Sequence, residues 1–421
     1  MKTKLAYGKQ YIEFSIPDDK LNDVLHSPDH HIKGSNEEIV GKALQNPLGT
    51  VMLPQLIEKK NAKNAVIIIN DVTRPTPYQS ILPPLLREIE AGGIKPEDIK
   101  LIIATGIHRA NTEAENINIF GADICSRYTI ESHNCDANLT SLGYLSNGME
   151  LSINRTVAEA DLLVTTGLVG LHYFAGYSGG RKSILPGVAA RRLIEANHQM
   201  MSDARACLGN YQDNPVNDIM LEAARRVEVD FTINVVTAGK NTIAFAAAGD
   251  IYEAWINAVK YCEASSVIAI ENKADIVIAG CGGYPKDINM YQAQKALDAA
   301  VLAVKDRGCI ILLAECSEGL GEETFATWIN EATCPQDINE RFFKHFELGG
   351  HKAYAICRIL EKAEIMLYSS LDDETVKKLY MTPVHDIEAA LKLALERQGS
   401  QARILLIPEA PKLGIKLNTV V

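Results

Sequence analysis

The sequence predicts an α/β fold of two domains, each a mostly parallel sheet flanked by helices, with the active site in the cleft between the domains. Three observations predict it. Short runs of β-branched and aliphatic residues alternate with stretches of helical periodicity, the pattern of successive βα units. Those runs are apolar throughout, as expected of strands covered on both faces. The chain has 421 residues, more than a single core usually organises.

The elements follow in order. KLAYGKQYIEFSIP alternates enough for a small hairpin ahead of the main fold. NAVIIIND at 64–71 reads as a buried strand, and DVTRPTP ends it because Pro75 and Pro77 cannot continue the ladder. SILPPLLREIEAGG is helical and is closed by Gly92 and Gly93. IKLIIATG at 99–106 is the next strand, leading into IHRANTEAE. ADLLVTTGLV is a third, followed by the loop GLHYFAGYSGGRKSILPG. AARRLIEANHQMMSDARA is helical, VDFTINVVTAG is a strand, and DIYEAWINAVKYCEAS is an amphipathic helix. A second domain is expected over 266–421, the first covering 1–265. It opens with the strand ADIVIAG and the loop CGGYPKD, then NMYQAQKALDAAVLAVKDRG as one long helix stopped by Gly308, then the strand CIILLAEC.

The composition excludes several classes. Forty-two basic against 53 acidic residues give a net charge of −11, which argues against nucleic-acid binding. There is no uncharged apolar run of the roughly 18 residues a membrane span needs. The start, MKTKLAYGKQYIEF, lacks the apolar centre of a secretion signal. The nine cysteines include no C-x-x-C pair, consistent with reduced thiols in the cytoplasm.

In parallel α/β sheets, ligands sit beyond the carboxyl ends of the strands, and the chemically dense segments fall in those loops. His108, His172 and His198 lie in or just after them. Imidazole moves protons in either direction near neutrality, and a reaction that inverts a carbon needs one proton carrier on each face. GYSGGRKS resembles a phosphate loop, but Arg181 stands where that pattern requires glycine. Lys182 then remains as a cation for an anionic ligand or as a nucleophile that attaches a cofactor. Gly176, Gly179 and Gly180 would let a bulky group approach the backbone. Arg74, on a proline-braced turn with Asp71, has the fork suited to a carboxylate. Gln292 and Lys295 share one helix face and suit a carboxylate and a hydroxyl. GCGGYP fails as a dinucleotide fingerprint because Pro285 occupies the third glycine position.

Taken together, DVTRPTP, TGIHRANTEAE, GLHYFAGYSGGRKSILPG, EANH and YQAQK make the chain similar to the nickel-dependent lactate racemase family. The resemblance implies a nickel-pincer nucleotide, pyridinium-3,5-bisthiocarboxylic acid mononucleotide, attached covalently to Lys182, with His198 as the protein's ligand to nickel. It implies that His108 and His172 are the paired acid and base. Arg74, Gln292 and Lys295 would orient a 2-hydroxy acid, with Asp71 supporting Arg74. Thr73, Thr76 and Arg109 would help to hold the cofactor. Tyr291, Tyr354 and Trp328 are candidates for lining the substrate pocket, with core packing the alternative for each. The implied partners are that substrate and the proteins that make and insert the cofactor. The implied reaction is a proton-coupled hydride transfer. Two other readings stand beside it: a carrier that binds the nickel nucleotide without turnover, for which two bases would be superfluous, and a nicotinamide-dependent dehydrogenase, which the broken fingerprint disfavours.

Overall fold

A computed structural model describes residues 1–28, 30, 32–239 and 241–418. The chain forms two compact units. One is Asp29–Ser265; the other joins Met1–Pro28 to Ser266–Val421.

The first unit is built on a six-stranded sheet. Its order is Ile243–Gly249, Phe231–Thr237, Leu162–Leu168, Ala65–Asn70, Ile99–Ala104 and Thr129–Ser132. All neighbours are parallel except the first pair. The central strands are apolar on both faces, which permits their burial between helices. Ile67, Ile69, Leu101, Ile103 and Val164 pack against Ile81, Leu82, Leu85 and Ile89 of the helix Tyr78–Ala91. The chain runs from Ala65–Asn70 outward in one direction, then returns to place Leu162–Leu168 on its other side. Strand order therefore reverses at Ala65–Asn70, and a crevice forms at such a reversal.

The second unit repeats the plan. Its sheet has the order Thr382–Val384, Ala363–Tyr368, Val304–Leu313, Ala274–Gly280, Ile404–Ile407 and Leu21–Val24, all parallel. The expected hairpin is present, with Lys2–Tyr7 antiparallel to Gln10–Ser15. It belongs to this unit and not to the segment it precedes. Leu5, Phe14 and Ile16 join Ile276, Ile278, Ile311 and Leu406 in one core.

Two local expectations are corrected. The helix at 289–308 ends at Ala303; VKDRG continues as the start of the strand Val304–Leu313, with Arg307 at φ 66°. Parallel pairing of Val304 with Ala274 and of Gly308 with Ala363 overrides the helical propensity of that stretch. Ile243–Gly249, unmarked by any strand signal in its alanine-rich sequence, is the antiparallel edge strand of the first unit.

Candidate active site

Three adjacent strands of the first unit deliver the candidate residues at their carboxyl ends. Asp71 follows the strand Ala65–Asn70. His108 follows Ile99–Ala104 on one side of it, and His172 follows Leu162–Leu168 on the other.

Asp71 is buried, and its Oδ2 lies 2.6 Å from His108 Nδ1. Its Oδ1 accepts a 2.7 Å hydrogen bond from Thr73 Oγ1. Burial alone would raise the Asp71 carboxyl, but the bonds from His108 and Thr73 outweigh it and hold the group below the usual carboxylate range. An ionised carboxylate only accepts, so His108 Nδ1 carries the hydrogen and a neutral His108 keeps a lone pair at Nε2. The Asp71 carboxylate hydrogen-bonds the imidazole, while the Arg74 guanidinium, whose charge also lowers Asp71, donates to Thr73 Oγ1 at 3.1 Å.

His172 has the opposite arrangement. It sits in a two-residue strand, Leu171–His172, paired with Gly176–Tyr177. The tight turn between them brings the Ala175 N–H to His172 Nδ1, at 3.2 Å, while Nε2 lies 3.3 Å from Lys182 Nζ. Burial first, then the neighbouring cations Lys182 and Arg74, hold this imidazole well below its ordinary range. A neutral ring whose Nδ1 accepts from a backbone amide must carry its hydrogen on Nε2, so that proton faces the Lys182 amine. Lys182 is itself depressed well below the ordinary amine range, first by burial and then by Arg181 and Arg74.

Arg181 is fully buried. Its guanidinium donates to Asn217 Oδ1 and to the carbonyls of Ala175, Tyr177, Ser178 and Gly179. It also lies over the Trp255 ring at 4.0 Å. Carbonyl and amide oxygens satisfy it without neutralising it, so it knots the loop together while leaving a positive charge next to Lys182. The three glycines of this loop do not open it to a ligand. A Cβ would meet Asn210 O at 2.2 Å from Gly176, Val169 Cγ2 at 2.5 Å from Gly179 and the Trp255 side chain at 2.9 Å from Gly180. They serve close protein packing at φ of 75°, 78° and 51°.

His198 is buried near the end of the helix Arg191–Gln199, its ring 5.0 Å from that of Phe174. Phe174 also meets His172 edge-on at 4.6 Å, and Lys182 Nζ lies 5.5 Å from its centroid. One aromatic ring thus gathers His172, Lys182 and His198. Among the described residues, no group of three or more His, Cys, Asp or Glu side chains converges into a metal cage. His198 could therefore ligate a metal only with further donors from a bound group.

Two residues expected near a cofactor make local contacts. Arg109 pairs with Glu115 at 2.6 Å on the surface, and Thr76 Oγ1 accepts from Asn70 Nδ2 at 2.8 Å. In the other unit, Lys295 Nζ donates to Gln292 Oε1 at 2.7 Å on the helix Met290–Ala303, and Tyr291 packs edge-on to Phe325 at 5.8 Å. Trp328 is buried, as is Tyr354, whose ring stacks on Phe342 at 3.9 Å; both are core residues of this unit.

The chain matches two family models, the lactate racemase N-terminal domain over residues 7–209 and the lactate racemase C-terminal domain over residues 269–413. It is 38% identical over 419 residues to the lactate racemase of Thermoanaerobacterium thermosaccharolyticum, covering 96% of this chain and 97% of that protein. It is 35% identical over 420 residues to the lactate racemase of Lactiplantibacillus plantarum, with the same coverage. The chain belongs to the lactate racemase family. The lactate racemase apoprotein structure from T. thermosaccharolyticum superposes with a TM-score of 0.89 over 99% of this chain and all of that one, at 35% identity. A Thermotoga maritima protein of 19% identity, TM-score 0.62, covers 92% of this chain and all of its own, and shows the fold alone.

As a member of this family the chain is an isomerase of the racemase kind. Sequence reasoning missed several residues that hold the loop carrying Lys182. Asn234 Oδ1 accepts from Gly180 N at 2.8 Å, and Ser178 Oγ donates to Leu168 O at 2.7 Å. Asn217, Trp255 and Phe174 act equally through the loop. Asn217, Asn234 and Trp255 carry no spacing signal because each meets the loop from a distant part of the chain, whereas Phe174 and Ser178 lie within it.

Proposed function

We propose that this enzyme inverts C2 of a small 2-hydroxy acid, lactate being the first to test, with a nickel-pincer nucleotide held by Lys182 and His198. The observation that carries the reading is the pair of imidazoles flanking the Asp71 strand, one with its Nδ1 on the Asp71 carboxylate and the other with its Nδ1 on the Ala175 N–H. A non-catalytic nickel-nucleotide carrier would need neither.

The residues suit the cofactor. Covalent attachment needs an unprotonated amine, and burial with two adjacent arginines favours that form of Lys182. A nickel centre whose other donors come from the pincer needs one imidazole, and His198 supplies it beside Lys182 and Phe174. When bound, the group supplies a reversible acceptor for the C2 hydride. The proteins that make and deliver it complete the list of partners.

The chain moves the proton and holds the acid. His108 Nε2 takes the substrate hydroxyl proton, and Asp71 stabilises the imidazolium that forms. Arg74 fixes the carboxylate so that the keto acid stays in place while its second face is presented, and Gln292 and Lys295 are the further carboxylate-binding residues of this reading. His172, as an imidazolium, would protonate the oxygen on that face from Nε2 and be left neutral with its hydrogen at Nδ1. From the opposite enantiomer the roles exchange, and His172 must present a bare Nε2. That requires the proton at Nδ1 and an opened Ala175 contact.

Two measurements test this. Intact mass and metal analysis of cofactor-loaded protein should show an adduct on Lys182 and one nickel per chain. Racemisation of L-lactate in D2O should leave protium at C2, since hydride returns to the carbon it left; deuterium at C2 would overturn the hydride route in favour of simple deprotonation.

A further inference from the structure

The helix Met290–Ala303, which carries Gln292 and Lys295, is held at its first turn by a buried lysine from another helix. Lys352 lies in the first turn of Gly350–Leu360 and is 4% exposed. Its Nζ donates to Tyr291 O at 2.8 Å and lies over the Tyr291 ring at 4.4 Å. In an α-helix the Tyr291 carbonyl is the one addressed by the backbone N–H of Lys295, four residues on. Lys352 therefore grips the carbonyl that anchors Lys295 in the helix.

The rest of the turn is fixed as well. Met290 N and Tyr291 N donate to Gly319 O and Leu320 O, both at 3.0 Å. Asn289 caps the helix by accepting from Gln292 N at 3.0 Å. Asp298 shares the cluster: its Oδ1 accepts from Gln294 Nε2 at 2.8 Å, and its other oxygen is buried. Burial pushes Asp298 up and Lys352 down, and each favours the other's charged form. A buried ammonium is expensive unless it secures something. Here it is aimed at the one carbonyl that sets the Gln292–Lys295 pair.

We propose that Lys352 is a positioning residue for substrate: through its bond to the Tyr291 carbonyl it holds Lys295 and Gln292 in the pose that receives the hydroxy-acid carboxylate. This rests on the reading that Lys295 and Gln292 bind that carboxylate.

The test is a double-mutant cycle on cofactor-loaded enzyme with D- and L-lactate, following kcat and KM by chiral product analysis. Lys352→Met should raise KM by about tenfold or more with kcat nearly unchanged, the loss expected for a charge-assisted hydrogen bond. Combined with Lys295→Ala it should add much less than it costs alone, because it acts in large part through Lys295. Lys352→Gln, which can still donate to the carbonyl, should keep KM within about threefold of the parent; it stands as a test by itself should the Met variant not fold. Additive effects, an unchanged KM with only a lowered Tm, or a Gln variant raising KM tenfold would each overturn the proposal. Should Lys295→Ala leave KM unchanged, the substrate reading fails; should it raise KM while Lys352→Met does not, only the positioning role fails.

Discussion

At the residue scale, the site rests on two histidines prepared differently by their neighbours. Asp71→Asn removes the anion that stabilises a protonated His108, so racemisation should fall by roughly 10²–10⁴-fold, the usual worth of a positioned proton carrier, with the cofactor still attached. Rate measurement with adduct mass on the same sample checks both halves. Lys182→Ala should leave the circular dichroism spectrum unchanged and the protein free of adduct and nickel; a variant that still carries both would show that attachment lies elsewhere. The histidines and Lys182 could be picked out from the sequence because their residue types declare the chemistry. Their orientation could not. That Asp71 hydrogen-bonds His108, and that the Ala175 N–H meets His172 Nδ1, depend on sub-ångström placement of loops.

At the element scale, the loop 170–187 is held by buried polar contacts to distant segments. Gly180→Ala tests this. Its Cβ would meet Trp255 at 2.9 Å, and the backbone sits at φ 51°, so a loss of roughly 1–3 kcal/mol is expected. Urea denaturation should register that loss together with weaker cofactor retention, since Lys182 is two residues on. Central strands such as Ala65–Asn70 were legible because a continuous aliphatic run has few alternatives. Val304–Leu313 was only half legible. Its first residues, VKDRG, have no local strand signal and are recruited by pairing with Ala274–Gly280 and Ala363–Tyr368.

At the scale of the whole molecule, the second unit takes its core from both chain ends. Leu5, Phe14 and Ile16 are buried in it, and Leu21–Val24 closes the edge beside Ile404–Ile407. Residues 29–265 expressed alone should fold cooperatively, whereas 266–421 without 1–28 should not; thermal melts of the two fragments decide this. A hairpin is visible in the first residues, but which unit it joins is a long-range fact that no local pattern contains. Each unit also buries a histidine held neutral. Burial lowers His133 in one, and burial with Lys352 lowers His351 to about 3 in the other. A depressed base binds more protons when unfolded, so its stabilising contribution is complete above the unfolded value near 6.5. It falls as pH drops toward the folded value, by up to about 1.4 kcal/mol per pH unit for each group. Urea midpoints should therefore decline from pH 7 to pH 5.

The central claim, that two imidazoles on opposite faces share one inversion, is tested most directly by chiral time courses on cofactor-loaded protein from each pure lactate enantiomer. The parent should reach an equal mixture from both. His108→Ala and His172→Ala should each lose about 10²-fold or more in both directions while keeping nickel and the Lys182 adduct. Either variant racemising at close to the parent rate, with the cofactor in place, would contradict the account.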